Sequence, residues 1–188
     1  FIVEDNFIGN KRKLKEEILP AMIQWQRDRK FPFGFLTETS INLADDEELM
    51  KLMVNAGFET VFIGIETPNE ESLVECNKIQ NRNRDLVASI KKIQNSGMQV
   101  LGGFILGFDN DRDSIFNSQN NFIQKSGIVT AMVGLLNAPR GTRLYERLKK
   151  ENRLLDEFSG DNTDCSMNFL PKMGQEKLIN GYRHVLTT

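Results

Sequence analysis

The chain has 188 residues, of which 39% are hydrophobic and 27% charged, with a formal net charge of -2 at pH 7. That is enough for one substantial core and at most two small domains, and the near-neutral balance gives no electrostatic footprint for nucleic acid or an acidic membrane surface. No apolar run approaches the ~20 residues that cross a bilayer, and the opening has no basic-then-apolar leader. Cys76 and Cys165 lie far apart and outside any C-x-x-C arrangement, so reduced thiols and a cytoplasmic location are expected. With one histidine, His184, no metal site is expected from this chain alone.

Taken in chain order, FIVEDN reads as a first strand. It begins without Met on three apolar residues, which suggests a piece of a longer protein. A helix follows from about Lys11 to Arg29, with Leu14, Ile18, Met22 and Trp25 on one face and Pro20 as a kink or restart. FPFGFLTETSI is a second strand, and ADDEELMKLMVNAG a helix with acidic residues in its first turn, as the helix dipole favours. VFIGIET is a third strand, followed by a short helix near Glu70–Cys76 and a longer one from about Arg84 to Ser96. GGFILGF and AMVGLLN are the fourth and fifth strands, each followed by a helix, at about Ser114–Lys125 and Thr142–Lys150.

Three of these units share one grammar: a helix pattern, a glycine (Gly57, Gly97, Gly127), then a nearly continuous apolar strand. Glycine suits the left-handed residue just past a helix, and apolar runs suit a parallel sheet buried on both faces. The pattern predicts an α/β fold of parallel strands, either doubly wound or an arc of a barrel. The absence of G-x-G-x-x-G after the first strand favours the partial TIM-type βα barrel. The barrel is expected over residues 1–155, with a loop and helix extension over 156–188. In that extension Leu178, Tyr182 and Val185 share a face despite Gly181.

Parallel βα folds bind ligands at the C-terminal ends of their strands. That places Asp5 and Asn6 after the first strand, Glu38 and Ser40 after the second, and Glu66 at the end of the third with Gly64 just before it. Gly107 follows the fourth strand and Asn137 the fifth. Strands ending in carboxylates are costly to bury unless met by a partner, so these ends face either a ligand carrying hydroxyls and an ammonium group or ordinary Lys and Arg partners. Gly102 and Gly103 weaken their strand, which points to close approach of a backbone or a flat ligand, or to a bend. Thr142 is placed to cap the helix that starts at Arg143. Lys78 reads as a solvated side chain, and Cys76 lacks an activating histidine.

Three stretches together, LADDEELMKLMVNAGFETVFIGIETPNEESL, GMQVLGGFILGFDND and NAPRGTRLYERL, resemble the radical S-adenosylmethionine superfamily. The likeness is to its cobalamin-dependent branch, which includes oxidative cyclases of Mg-protoporphyrin IX monomethyl ester. The resemblance implies a partial barrel, an S-adenosylmethionine site and a [4Fe-4S] cluster held by a C-x-x-x-C-x-x-C loop. Cobalamin in the parent protein and an unidentified small-molecule substrate are implied as well, the parent being an oxidative cyclase or a methyltransferase. It assigns Asp5 and Asn6 to the region that recognises the methionine ammonium, and Glu38 and Glu66 to the methionine or ribose. Gly103, Ile105 and Gly107 match its G-x-I-x-G strand beside adenine, with Ser40, Gly64 and Asn137 as further cofactor contacts. The cysteine triad is absent from the sequence, so the cluster ligands are expected upstream and this stretch alone is expected to be inactive. The acidic residue after G-x-I-x-G has Asn110 or Asp111 in its neighbourhood. No catalytic residue is assigned, and no nucleic-acid or membrane partner is expected; the open first-strand edge predicts pairing with a second copy. The alternatives are a βα-barrel enzyme acting on a phosphorylated metabolite, and a non-catalytic binding module.

Overall fold

The computed structural model describes residues 1–155 and 165–188. Its elements are α1 (Lys11–Lys13), α2 (Leu19–Asp28), β1 (Phe35–Thr39), α3 (Glu47–Asn55), β2 (Phe58–Glu66), α4 (Glu70–Glu75), α5 (Leu86–Asn95), β3 (Gln99–Leu106), α6 (Ile115–Ser126), β4 (Thr130–Leu135), α7 (Arg143–Lys150) and α8 (Gln175–Thr187). The four strands form one parallel sheet in the order β1-β2-β3-β4, the sequential βα arrangement of a partial barrel. The residues group into two compact units, 1–65 with 80–103 and 123–132, and 66–79 with 104–122 and 133–188.

In the first unit, the strand expected at FIVEDN contracts to one parallel bridge between Ile2 and Thr37. The Ile2 N–H donates to Leu36 O at 2.9 Å and Thr37 Oγ1 donates to Ile2 O at 3.1 Å, leaving Phe1 and Val3 exposed. β1 and β2 are registered so that Glu38 lies opposite Phe62 and Thr39 opposite Ile63. β2 then has two unlike faces. Val61, Ile63 and Ile65 are fully buried, while the alternating Thr60, Phe62 and Gly64 are only half-buried. Leu49 and Met53 of α3 and Ile90 and Ile93 of α5 are buried too, at the period expected of helices that lay one stripe on a core. Asp46 caps α3 by accepting from Leu49 N–H at 3.1 Å, and Asp85 caps α5 by accepting from Ala88 N–H at 2.9 Å. The glycine grammar holds, with φ of 96° at Gly57, 108° at Gly97 and 70° at Gly127.

The helix ahead of β1 is one residue out of phase with the sequence pattern. A π-helical turn at Leu14–Ile18 precedes α2, so the buried stripe runs Leu14, Leu19, Ile23 and Gln26. A π turn holds an extra residue and rotates everything after it. Ile18 and Trp25, expected inside, are therefore on the surface, where Trp25 stacks on Phe33 at 5.9 Å and under Arg29 at 4.6 Å. Pro20, which cannot donate a backbone hydrogen bond, sits at the start of the restarted helix. Gln26 takes the buried place and donates to Phe33 O at 2.6 Å and Ala56 O at 3.2 Å.

In the second unit the apolar core joins Leu106, Ile115, Phe116 and Leu135 to Leu178, Tyr182 and Val185 of α8. Gly181 is needed in α8 because the ring of Phe116 fills the place of its missing side chain. A smaller cluster holds Ala138, Leu148 and Phe169, next to an antiparallel bridge between Leu154 and Phe169. The first part of the expected C-terminal loop and helix extension, 156–164, lies outside the described residues.

Candidate functional site

The residues singled out by sequence divide between the units. The first carries Asp5, Asn6, Glu38, Ser40, Gly64 and Gly103. Asn6 and Ser40 come together: Asn6 Oδ1 accepts from the Ser40 N–H at 3.2 Å. The Ser40 hydroxyl lies 3.2 Å from Asn6 Oδ1 and 2.6 Å from Asn42 Oδ1, and its single proton goes to the nearer acceptor. Asp5 is exposed. Glu38, two residues before Ser40 on the half-open side of β1, is half-buried and has no hydrogen bond or ion pair among the described residues. A second unpartnered acceptor lies at the end of β2. Asn81 is fully buried and donates to Gly64 O at 3.1 Å and Ile65 O at 2.9 Å, while its Oδ1 has no partner. The sequence reading missed Asn81, whose only signal is a polar residue between two turns.

Gly103 has a steric role. A Cβ there would lie 2.7 Å from the tip of the Phe62 ring on the neighbouring strand. What comes closest to this glycine is neither a backbone nor a flat ligand, as the sequence suggests, but a side chain of the sheet itself, the Phe62 ring.

The second unit carries Glu66, Ile105, Gly107 and Asn137. Glu66 closes β2 in the left-handed region, φ 66°, which a residue with a Cβ rarely adopts. Its carboxylate is not free. Lys78 Nζ lies 2.6 Å away, both side chains being about one-fifth exposed, so the lysine read as solvated is the partner of this strand end. Ile105 is half-buried. Gly107, at φ 107°, turns the chain so that its N–H and that of Phe108 donate to Asp111 Oδ2 at 3.0 and 3.1 Å. Asp111 also accepts from Ser72 Oγ at 2.7 Å. Burial pushes its carboxyl above the usual range, against the pull of those hydrogen bonds. Asn137 accepts the Asn168 N–H at 3.2 Å, while the buried Asn168 side chain clamps Ala138 through N–H and C=O at 2.9 and 2.7 Å.

Beside these, Asp109 anchors a charged network with its side chain 4% exposed. It meets Arg153 at 2.6 Å, Arg147 at 3.1 Å and Lys172 at 3.4 Å. Burial alone would raise its carboxyl, but the Arg153 hydrogen bonds and the neighbouring cations hold it below the usual range. Cys76 and Cys165 are free thiols, and no group of three or more His, Cys, Asp and Glu among the described residues is placed to hold a metal. The donor set of a four-iron cluster is therefore not one that these residues supply.

Comparison with known proteins bears on the whole chain. A domain model of unknown function, DUF4070, matches residues 142–188. An uncharacterized methyltransferase of Synechocystis is 45% identical over 97% of the chain and 34% of its own length. The hopanoid C-2 methylase of Rhodopseudomonas palustris is 35% identical over 90% of the chain and 32% of its own length. The chain thus spans about a third of the curated relatives it matches. Among solved structures, the radical S-adenosylmethionine methyltransferase TsrM of Kitasatospora setae, with cobalamin and a [4Fe-4S] cluster bound, superposes with a TM-score of 0.67. That match has 11% identity and covers 94% of this chain and 36% of TsrM, and it supports the barrel-derived fold. No helix among the described residues is long and apolar enough to cross a membrane. The chain is thus similar in sequence to proteins named for methyl transfer and in fold to a radical S-adenosylmethionine methyltransferase, the superfamily that its three sequence stretches resemble.

Proposed function

We propose that the chain forms the S-adenosylmethionine-binding part of a cobalamin-dependent radical methyltransferase. Of the oxidative cyclisation and the methyl transfer that the sequence likeness left open, methyl transfer is preferred, because the relatives at 45% and 35% identity are named for methyl transfer. The observation that carries the reading is Glu38, a half-buried carboxylate without a partner on the half-open side of a parallel strand. A carboxylate left in that state costs free energy unless a ligand meets it, and an ammonium or a pair of ribose hydroxyls does so. In the first unit Asn6 and Ser40 lie within two residues or one hydrogen bond of this position and would fix the polar end of the cofactor. Glu66 has a role of a different kind. A left-handed glutamate is strained backbone, of the sort that collects at ligand clamps, and Lys78 holds its carboxylate in place.

The cluster, when bound, supplies the electron that activates S-adenosylmethionine, and cobalamin is the methyl carrier; neither has ligands assigned in residues 1–188. This chain's share is to bind and orient the cofactor and to exclude water. The test is S-adenosylmethionine binding by equilibrium dialysis on the cluster-loaded enzyme prepared anaerobically. Glu38→Ala is expected to weaken binding about tenfold, as loss of charge-assisted hydrogen bonds does, and Glu38→Gln by less. Unchanged affinity in both variants would refute the assignment.

A further inference from the structure

The second unit contains a recess of about 540 Å³ that the cofactor reading leaves unused. It is bordered by Phe108 after β3, Leu136 after β4, Leu144 on α7 and the end of α4 at Glu75–Asn77. The volume falls in the range of small-molecule pockets, and the apolar side chains give it a greasy floor. Its charged groups are unevenly satisfied. Arg147 is held by Glu75 at 2.8 Å and by Asp109 at 3.1 Å. The other Glu75 oxygen accepts from the Asn110 side chain at 3.0 Å and its N–H at 3.3 Å, so this carboxylate is held by partners of its own and is not a free acceptor for a ligand. Cys76, with burial raising its thiol, contributes no competing charge.

Arg143 differs from all of these. It lines the recess, is exposed, and has no hydrogen bond or ion pair among the described residues. It is also the first residue of α7, where the helix dipole disfavours a cation. The same first turn carries Glu146, which offsets the dipole there, and α1 likewise opens on basic residues, so the helix end is not what singles Arg143 out. Capping does not need the arginine, because Thr142 already accepts the Tyr145 N–H at 3.2 Å. A cation at the lip of an apolar recess, with no partner among the described residues, is placed to meet an anion from outside.

We propose that this recess binds an apolar small molecule bearing a carboxylate, with Arg143 pairing the carboxylate and Phe108, Leu136 and Leu144 receiving the apolar body. The inference rests on the enzyme reading above, of which this is the substrate side. A single unpaired guanidinium matches one carboxylate through two parallel hydrogen bonds. A phosphate dianion would call for a second free cation, and the neighbouring Arg147 is already committed to Glu75 and Asp109.

The test uses 2-naphthoate and its uncharged counterpart 2-naphthamide as probes, titrated into the full chain by calorimetry at low salt. The wild type is expected to bind 2-naphthoate about tenfold more tightly than 2-naphthamide. Arg143→Gln should erase that preference while leaving 2-naphthamide binding unchanged, and Arg112→Gln, an exposed arginine away from the recess, should leave both alone. No preference for the acid, no binding of it, or a preference that survives Arg143→Gln overturns the proposal. S-adenosylmethionine affinity of the cluster-loaded enzyme separates the two readings. Its retention in Arg143→Gln alongside lost naphthoate preference supports a distinct substrate side. A naphthoate preference in an enzyme that binds no S-adenosylmethionine would leave the recess standing and remove the enzyme reading.

Discussion

Asp111→Ala should be among the most damaging single substitutions in the second unit, for a reason that can be counted. The carboxylate is buried, with the residue 7% exposed, and it accepts three hydrogen bonds, from Gly107 N–H, Phe108 N–H and Ser72 Oγ. Alanine leaves two backbone donors and a hydroxyl without their acceptor in a buried turn, at about 1–3 kcal/mol for each orphaned group. The loss is offset in part, since burial already disfavours the charged carboxylate at neutral pH. The net cost is about 3 kcal/mol, or roughly 6–12 °C in melting temperature for a chain of this size. Asp111→Asn keeps the shape: its carbonyl oxygen accepts both N–H groups and its amide reaches Ser72 Oγ, so it should cost about 1 kcal/mol or less. There is a pH signature as well. A carboxyl whose folded pKa is raised stabilises fully below its unfolded value, and that contribution is lost as pH rises through the folded one. The asparagine variant should therefore gain on the wild type as pH is raised from the ordinary aspartate value of 3.8 towards neutrality. Urea unfolding of both variants at two pH values measures all of this. Equal destabilisation by Ala and Asn, or an Ala variant within about 0.5 kcal/mol of wild type, would show that the turn does not depend on these hydrogen bonds.

Two further outcomes follow from the same kind of geometry. Gly103→Ala should cost about 1–3 kcal/mol by overpacking against Phe62, and Phe62→Leu introduced with it should recover most of that loss in chemical denaturation; strictly additive losses would refute the contact. Asp109 should make the chain acid-labile: its depressed carboxyl stabilises above the unfolded value of 3.8, and this is lost as pH falls through the lower folded value. Asp109→Asn should flatten the stability profile over that window, and an unchanged slope between about pH 5 and 2 would count against the network's role.

The elements that sequence made legible are those set by local chemistry. The glycine after a helix, the aspartate before one and the apolar strand between them each need only a few neighbouring residues, and β2, α3, α5, β3 and α7 stand close to where the pattern places them. The phase of α2 was not legible, because a π turn has no residue signature of its own: the spacing from Leu14 to Ile18, Met22 and Trp25 is a valid helical stripe. What decided against it was Gln26 satisfying Phe33 O and Ala56 O, a contact that reaches across 30 residues in sequence.

The same limit governs the site. A carboxylate at a strand end can be read from sequence, but whether it is free depends on a partner brought from elsewhere. Glu66 and Glu38 look alike in the chain. Glu66 turns left-handed and meets Lys78, twelve residues on; Glu38 continues an ordinary strand, and no cation among the described residues reaches it. Glycine shows the same division, since Gly103 and Gly107 fit one short motif yet serve different ends, the first making room for Phe62 and the second permitting the turn that Asp111 closes. A motif therefore marks where the backbone is special, and what meets a charge or a glycine there is decided by residues far away in sequence. Under the two proposals above, Glu38 in one unit awaits a cation or hydroxyls and Arg143 in the other an acid, and neither has a partner among the described residues.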